Sequence, residues 1–215
     1  MAPTWLFRAS CGYSLYTAPA ALYYTIMTDN PKHTIREQAR YHRDHLQVDQ
    51  ADYERVIDIF FKNVTPQSGQ IIAGYWPVGR EFDVRFLMDE LIQRGFQCAL
   101  PCVIKNTKIL AFKAWTPDCL MLKGAFDVFE PDSDELVEPD IFLCPLLAFD
   151  RQGYRMGQGG GYYDATLEHS RAQKDILAIG VGYGEQAVLF NLPNEAHDQK
   201  MDIILTPQKI LDFRK

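Results

Sequence analysis

The apolar positions along this chain change period several times, and each change marks an element. In DYERVIDIFFKNV, Val56, Ile57, Phe60 and Phe61 share one face at helical spacing, which predicts an amphipathic helix ended by Pro66 and Gly69. Ile71–Tyr75 is short and apolar throughout, as a buried strand would be. EFDVRFLMDELIQRG returns to helical spacing, with Phe82, Phe86, Leu87 and Leu91 inward and Gly95 closing the helix. QCALPCVI and KILAFKAW predict two strands joined by a turn around Asn106, followed by an irregular loop through Pro117, Gly124 and Pro131. Then come a strand in IFLCPLLAF, a helix from about Tyr162 to Ser170, a strand in ILAIGVGY, a short helical stretch at EQAV and a last strand in DIILT. Upstream, Asp29 or Asn30 is placed to cap a helix that has Pro31 at its first position. Strand, helix and strand in succession predict an α/β fold, an open, largely parallel sheet flanked by helices.

Composition narrows the class. Hydrophobic residues make up 47% and charged residues 23%, the balance of a soluble globular protein. No run reaches the roughly 20 apolar residues of a membrane helix, so no membrane partner is expected. A net charge of −6 and a pI near 5.4 argue against general nucleic-acid binding, which needs a basic face. An anionic small ligand needs only local cations. The five cysteines, Cys11, Cys98, Cys102, Cys119 and Cys144, form no regular framework. They read as small hydrophobes in a reducing cytoplasm, where the protein is expected to work as a monomer. Residues 1–28 carry no acidic residue and one basic residue, Arg8, and Met27 stands just before TDNPKH. They fit neither a secretory nor a mitochondrial leader. They are expected to be a non-essential extension, or the product of a start assigned too early.

The strongest chemical signal is PLLAFDRQGYRMGQGGGYYDATLE, Pro145 to Glu168. Gly157, Gly159, Gly160 and Gly161 lie within five residues, after a predicted strand and before a predicted helix. Glycines let backbone N–H groups converge on an anion, and a helix N-terminus adds partial positive charge. Arg155 can grip a phosphate with two donors. The segment is not a Walker A loop, since it lacks GK[ST], and no acidic ribose reader follows it. By spacing alone, a tight structural turn stays open beside the ligand loop.

The run Ala148-Phe149-Asp150, Gly153, Arg155-Met156-Gly157 and Gly159 to Asp164 resembles the signature of the 5-formyltetrahydrofolate cyclo-ligase family. The likeness extends over about Lys32 to Thr206 and takes in Glu81, Leu100-Pro101, Phe129-Glu130-Pro131, His197-Asp198, Lys200 and Asp202. The resemblance implies a fold of the NagB/RpiA/CoA-transferase group and a single catalytic domain over residues 29–215. It also implies a reaction in which ATP and 5-formyltetrahydrofolate give 5,10-methenyltetrahydrofolate, ADP and phosphate, with Mg²⁺.

Carried over residue by residue, the resemblance gives the ATP phosphates to Arg155, Met156, Gly157, Gln158, Gly159, Gly160, Gly161, Tyr162, Tyr163 and Asp164. Arg155 and Tyr162 are the catalytic candidates. Lys32 and Arg36 match a Lys-x-x-x-Arg nucleotide contact, although basic residues four apart are also common on exposed helices. Asp164 and Asp202 are the candidate Mg²⁺ ligands. Asp164 also suits an early-helix carboxylate, and Asp202 the start of a strand. Glu81 and Trp115 are the candidate folate contacts, with Glu81 alternatively a first-turn acid on its helix and Trp115 alternatively core.

Overall fold

The computed structural model describes residues 30–214, so the extension expected over residues 1–28 lies outside the described residues. Helix α1, Pro31–Asp44, begins where the Asn30 side chain accepts the His33 N–H at 3.1 Å and Pro31 occupies the first turn. Of the two candidate caps, Asn30 is the one in use. Helix α2, Ala51–Asn63, buries Val56 and Phe60. Strand β1 is Ile71–Ala73, helix α3 is Arg85–Gln93, and strands β2 and β3 are Gln97–Val103 and Leu110–Trp115. The stretch expected to be irregular contains three short strands, β4 (Met121–Lys123), β5 (Phe129–Pro131) and β6 (Leu136–Val137). After them come β7 (Ile141–Pro145), β8 (Ala148–Phe149), β9 (Arg155–Met156), helix α4 (Tyr162–Gln173), β10 (Leu177–Val181), β11 (Ile203–Leu205) and β12 (Ile210–Asp212).

Eight strands form the main sheet in the order β12-β11-β10-β7-β1-β2-β3-β6. The five from β11 to β2 are parallel, and the strands at both margins are antiparallel. Period-two alternation divides the core between the two faces. Ile72, Leu100, Leu143, Ile179 and Ile203 pack with Phe60 of α2 and with Leu87, Met88 and Leu91 of α3. Their neighbours Ala73, Ala99, Phe142, Ala178 and Ile204 pack on the other face with Leu167 of α4. Phe60 is fully buried, so truncating it to alanine would cost about 3–5 kcal/mol.

Two expectations need correction. The helix drawn from Glu81 begins at Arg85, with Val84 as its N-cap, and the Asp83 carboxylate accepts the Arg85 N–H at 3.0 Å just ahead of it. Glu81 and Phe82 therefore stand in the preceding loop. Phe82 is still buried, but Phe86 is 44% exposed and stacks on Tyr53 with centroids 4.4 Å apart. The apolar run IFLCPLLAF is also two strands. The first ends at Pro145, which has no N–H to extend a ladder, and β8 turns away to pair with β9.

The connections create a switch in strand order. From β1 the chain passes through α3 to β2 on one side, whereas β7, β10 and β11 lie on the other. In an open α/β sheet, such a reversal leaves a crevice outside the carboxyl ends of the strands. Here it lies between the ends of β1 and β7.

Candidate active site

A cavity of about 710 Å³ opens at that crevice, lined by Tyr75 and Trp76 just beyond β1 and by Pro145 and Leu146 at the end of β7. The β8–β9 hairpin delivers the glycine loop to it. Asp150, 1% exposed, shapes the hairpin turn by accepting the N–H groups of Gln152 and Tyr154 through Oδ1 and that of Leu192 through Oδ2. The chain then runs through Arg155 and the glycines into α4. Gly161 precedes the helix with φ +74° and supplies no side-chain cap. The first N–H groups of α4 are thereby left for an anion.

Besides Arg40, whose Nη2 donates to Gln158 Oε1 at 2.9 Å, three cations stand around this loop. Arg36 on α1 donates through Nε to the Gly157 carbonyl at 3.1 Å. Lys108, before β3, holds Nζ 3.5 Å from where a Cβ on Gly161 would lie. Arg155 is the buried one, with a side chain only 4% exposed. Its Nη1 donates to Asp164 Oδ1 at 2.9 Å, while its Nε and the Tyr163 hydroxyl are buried without partners among the described residues. Burial works against the charge of Arg155, and the Asp164 carboxylate more than offsets it. Burial also holds the Tyr163 phenol well above its ordinary range, helped by the neighbouring Cys144 and Glu81, so it is a neutral donor. Two unsatisfied buried donors beside a cavity are costly unless a ligand takes them.

Glu81, 9% exposed, lies on the cavity wall. Its Oε2 accepts the Val78 N–H at 3.0 Å and its Oε1 accepts Gln158 Nε2 at 3.0 Å. Arg43, also buried, stands 3.5 Å away and balances the charge. Lys32 lines the same cavity and is held by Asp198 at 2.6 Å and Glu195 at 2.9 Å.

The cavity thus gathers Lys32, Arg36, Glu81, Arg155, Met156 and every position from Gly157 to Asp164 on one surface. It does not gather Trp115 or Asp202. Trp115 lines a smaller neighbouring hollow that shares Trp76. Asp202 sits at the amino end of β11, where its Oδ2 accepts the Ala178 N–H at 2.7 Å and Arg171 at 3.1 Å. Asp140 likewise accepts the Ile71 N–H at the start of β1. Among the described residues, no three His, Cys, Asp or Glu side chains converge on a metal position. One carboxylate with substrate phosphates suffices for Mg²⁺, and Asp164 fits, since its Oδ2 takes no hydrogen bond from the described residues.

Sequence reasoning passed over Arg40, Arg43, Lys108 and Phe126. Arg36, Arg40 and Arg43 recur at helical spacing, a signal that was present. Phe126 packs edge-on to Tyr162 at 5.7 Å from a turn of positive φ, and Lys108 arrives from another element. Neither is local to the motif.

Fold and cavity together define an open α/β protein with a glycine-lined crevice where the strand order reverses. Residues 28–207 match the family model of the 5-formyltetrahydrofolate cyclo-ligase family, and the chain belongs to that family. It is similar to the 5-formyltetrahydrofolate cyclo-ligase of Mycolicibacterium smegmatis, 33% identical over 66% of this chain and 76% of that one. It is similar as well to that of Haemophilus influenzae, 35% identical over 62% and 74%. The solution structure of Aquifex aeolicus 5,10-methenyltetrahydrofolate synthetase superposes with a TM-score of 0.69 at 27% identity, covering 86% of this chain and 93% of that one. The chain is accordingly an enzyme of the ATP-dependent cyclo-ligase type. Among the described residues, no helix is long and apolar enough to cross a membrane.

Proposed function

We propose that this enzyme closes 5-formyltetrahydrofolate to 5,10-methenyltetrahydrofolate at the expense of ATP. The observation that carries the reading is the single cavity that holds the glycine loop, Arg36 and Arg155 at one part of its wall and Glu81 at another. One part suits phosphates; the carboxylate suits the N–H donors of a pterin.

A formamide carbonyl is a poor electrophile. In the proposed sequence the formyl oxygen attacks the γ-phosphorus of ATP, the bond to the bridging oxygen breaks, and ADP leaves. Folate N10 then attacks the formyl carbon within the same molecule, where proximity replaces a bimolecular encounter. The bond to the phosphorylated oxygen breaks, N10 gives up its proton, and phosphate departs carrying it. The work assigned to the protein is positioning and charge neutralisation. We assign the phosphates to the loop N–H groups, Arg36 and Arg155, with Lys32 at the rim and Tyr162 and Tyr163 along the path. Bound Mg²⁺ would be held by Asp164 and the phosphates and would neutralise developing charge. Asp202 we assign to the frame. The buried thiols of Cys98 and Cys144, pushed up to about 12 by burial, are unreactive and suit a cytoplasmic enzyme.

The test follows methenyl-folate absorbance and ADP release together from purified protein with Mg²⁺. Stoichiometric formation of both is expected. Folate binding without ATP-dependent product would reject the reading in favour of a non-catalytic binder.

A further inference from the structure

We propose that Gln158 is a positioning residue that couples nucleotide in the glycine loop to the folate-side carboxylate of Glu81. The proposal rests on the reading of the cavity given above. Gln158 bridges three segments that are remote in sequence. Its Oε1 accepts Arg40 Nη2 of α1 at 2.9 Å, and its Nε2 donates to Glu81 Oε1 at 3.0 Å. Only one orientation of the amide serves both neighbours. Turned over, it would set its NH₂ against the Arg40 donor and its oxygen against the carboxylate. Among the described residues, no other side chain of the loop is bonded to Glu81.

Glu81 is poised to respond. It is buried and holds one oxygen on the Val78 amide, so the second oxygen decides how the carboxylate faces the cavity. Two donors compete for that oxygen. Gln158 has it at 3.0 Å, while Arg43 Nη1 waits at 3.5 Å, buried and with no hydrogen-bond partner among the described residues. When Gln158 withdraws, the carboxylate turns toward Arg43 and away from a ligand. Gln158 lies between Gly157 and Gly159, and Gly159 has φ +102°, so its backbone follows the loop. Phosphates that fix the loop N–H groups therefore also fix Gln158, and Gln158 holds Glu81 toward the substrate. Each ligand then tightens the other by the same factor, because coupling between binding sites is reciprocal.

The experiment is calorimetric titration of the full chain with 5-formyltetrahydrofolate, in Mg²⁺, with and without a saturating ATP analogue whose β,γ bridge cannot be hydrolysed. It is repeated with Gln158→Met, which keeps length but neither accepts from Arg40 nor donates to Glu81. Gln158 is exposed, so the variant folds. The parent is expected to bind folate at least about 5-fold more tightly with the analogue present, and Gln158→Met less than about 2-fold more tightly. The reverse titration should give the same ratios. A merely structural role would weaken both ligands uniformly and leave the ratio intact. The proposal is overturned if Gln158→Met keeps the parental ratio, or if the parent binds both ligands with a ratio near one. A parent that binds neither ligand overturns the reading of the cavity, and this proposal with it.

Discussion

Arg155 donates to Asp164 Oδ1 at 2.9 Å and so ties the start of the glycine loop to the first turn of α4. The same Asp164 oxygen accepts the Gln199 N–H at 3.0 Å. The pair closes both ends of the loop and anchors the segment that carries Lys200 and Asp202. Asp150, the other acid near Arg155 in sequence, is occupied by its own turn.

Arg155→Ala should therefore damage two properties at once. Loss of a charge-assisted contact is worth about 1.5–3 kcal/mol, or one to two decades in kcat/KM for ATP. The loss of the tie should also lower Tm by about 2–4 °C per kcal/mol in a chain of this size. Arg155→Lys keeps the charge without the planar fork, so it should restore more of the stability than of the ATP use. Steady-state kinetics with ATP varied at saturating folate, together with thermal melts, measures both. Parental ATP kinetics in Arg155→Ala would remove this residue from the mechanism.

The two aspartates first paired as metal ligands should separate under mutation. Asp164→Asn should raise the Mg²⁺ concentration needed for half-maximal rate by about tenfold or more, since the charge that Mg²⁺ requires is gone. Asp202→Asn should leave that concentration unchanged and reduce stability by about 1–2 kcal/mol, through its weakened bonds to Ala178 and Arg171. A Mg²⁺ titration of each variant beside a denaturant melt decides the matter. A raised Mg²⁺ requirement in Asp202→Asn would return that residue to the metal.

Much of this molecule is legible in its sequence, for physical reasons. The continuous apolar runs at Ile71, Ile141, Leu177 and Ile203 are what a strand buried on both faces demands. The glycine loop announced itself because close backbone approach to an anion needs residues without Cβ. What was not legible depends on how the segments meet in space. Phe86 has the right spacing to be core, but it stacks on Tyr53 of α2 and stays 44% exposed. Asp202 looks like a ligand in the motif, and only the register of β10 with β11 reveals the Ala178 amide it serves. Arg40 and Arg43 were countable on α1, yet nothing local says that Gln158 and Glu81 lie beneath them.

The loop glycines should differ in kind. Gly159 has φ +102°, and a Cβ there would also come within 3.3 Å of the Arg36 guanidinium. Gly159→Ala should cost about 1–2 kcal/mol of backbone strain and displace Arg36, weakening ATP use. Gly160 has no such backbone demand, but its Cβ would lie 2.8 Å from the Tyr162 ring. Gly160→Ala should move that ring with little loss of stability. Tm and KM for ATP, taken together, distinguish the two; equal losses of Tm would show that the conformational argument is wrong.

The last prediction concerns Lys32, whose Nζ lies 2.6 Å from Asp198 Oδ2 and 2.9 Å from Glu195 Oε1. This contact ties α1 to the loop at the cavity rim. Burial acts to raise the Asp198 carboxyl, but Lys32 and the Glu195 N–H hold it below its ordinary value of 3.8. A carboxyl lowered in the folded state adds stability that is fully present above the unfolded value and is lost as pH falls through the lowered one. Lys32 has the opposite sign. Burial works against its charge, yet the two carboxylates keep it above 10.5, so its share is present below 10.5 and lost as pH rises beyond it. A double-mutant cycle of Lys32→Met and Asp198→Asn should give about 0.5–1 kcal/mol, constant between pH 6 and 9 on the order-of-magnitude scale of linkage. Carboxyl NMR should place the Asp198 midpoint below 3.8, and Lys32→Met should raise it. A midpoint unmoved by Lys32→Met would show that the ammonium does not set the charge of this rim.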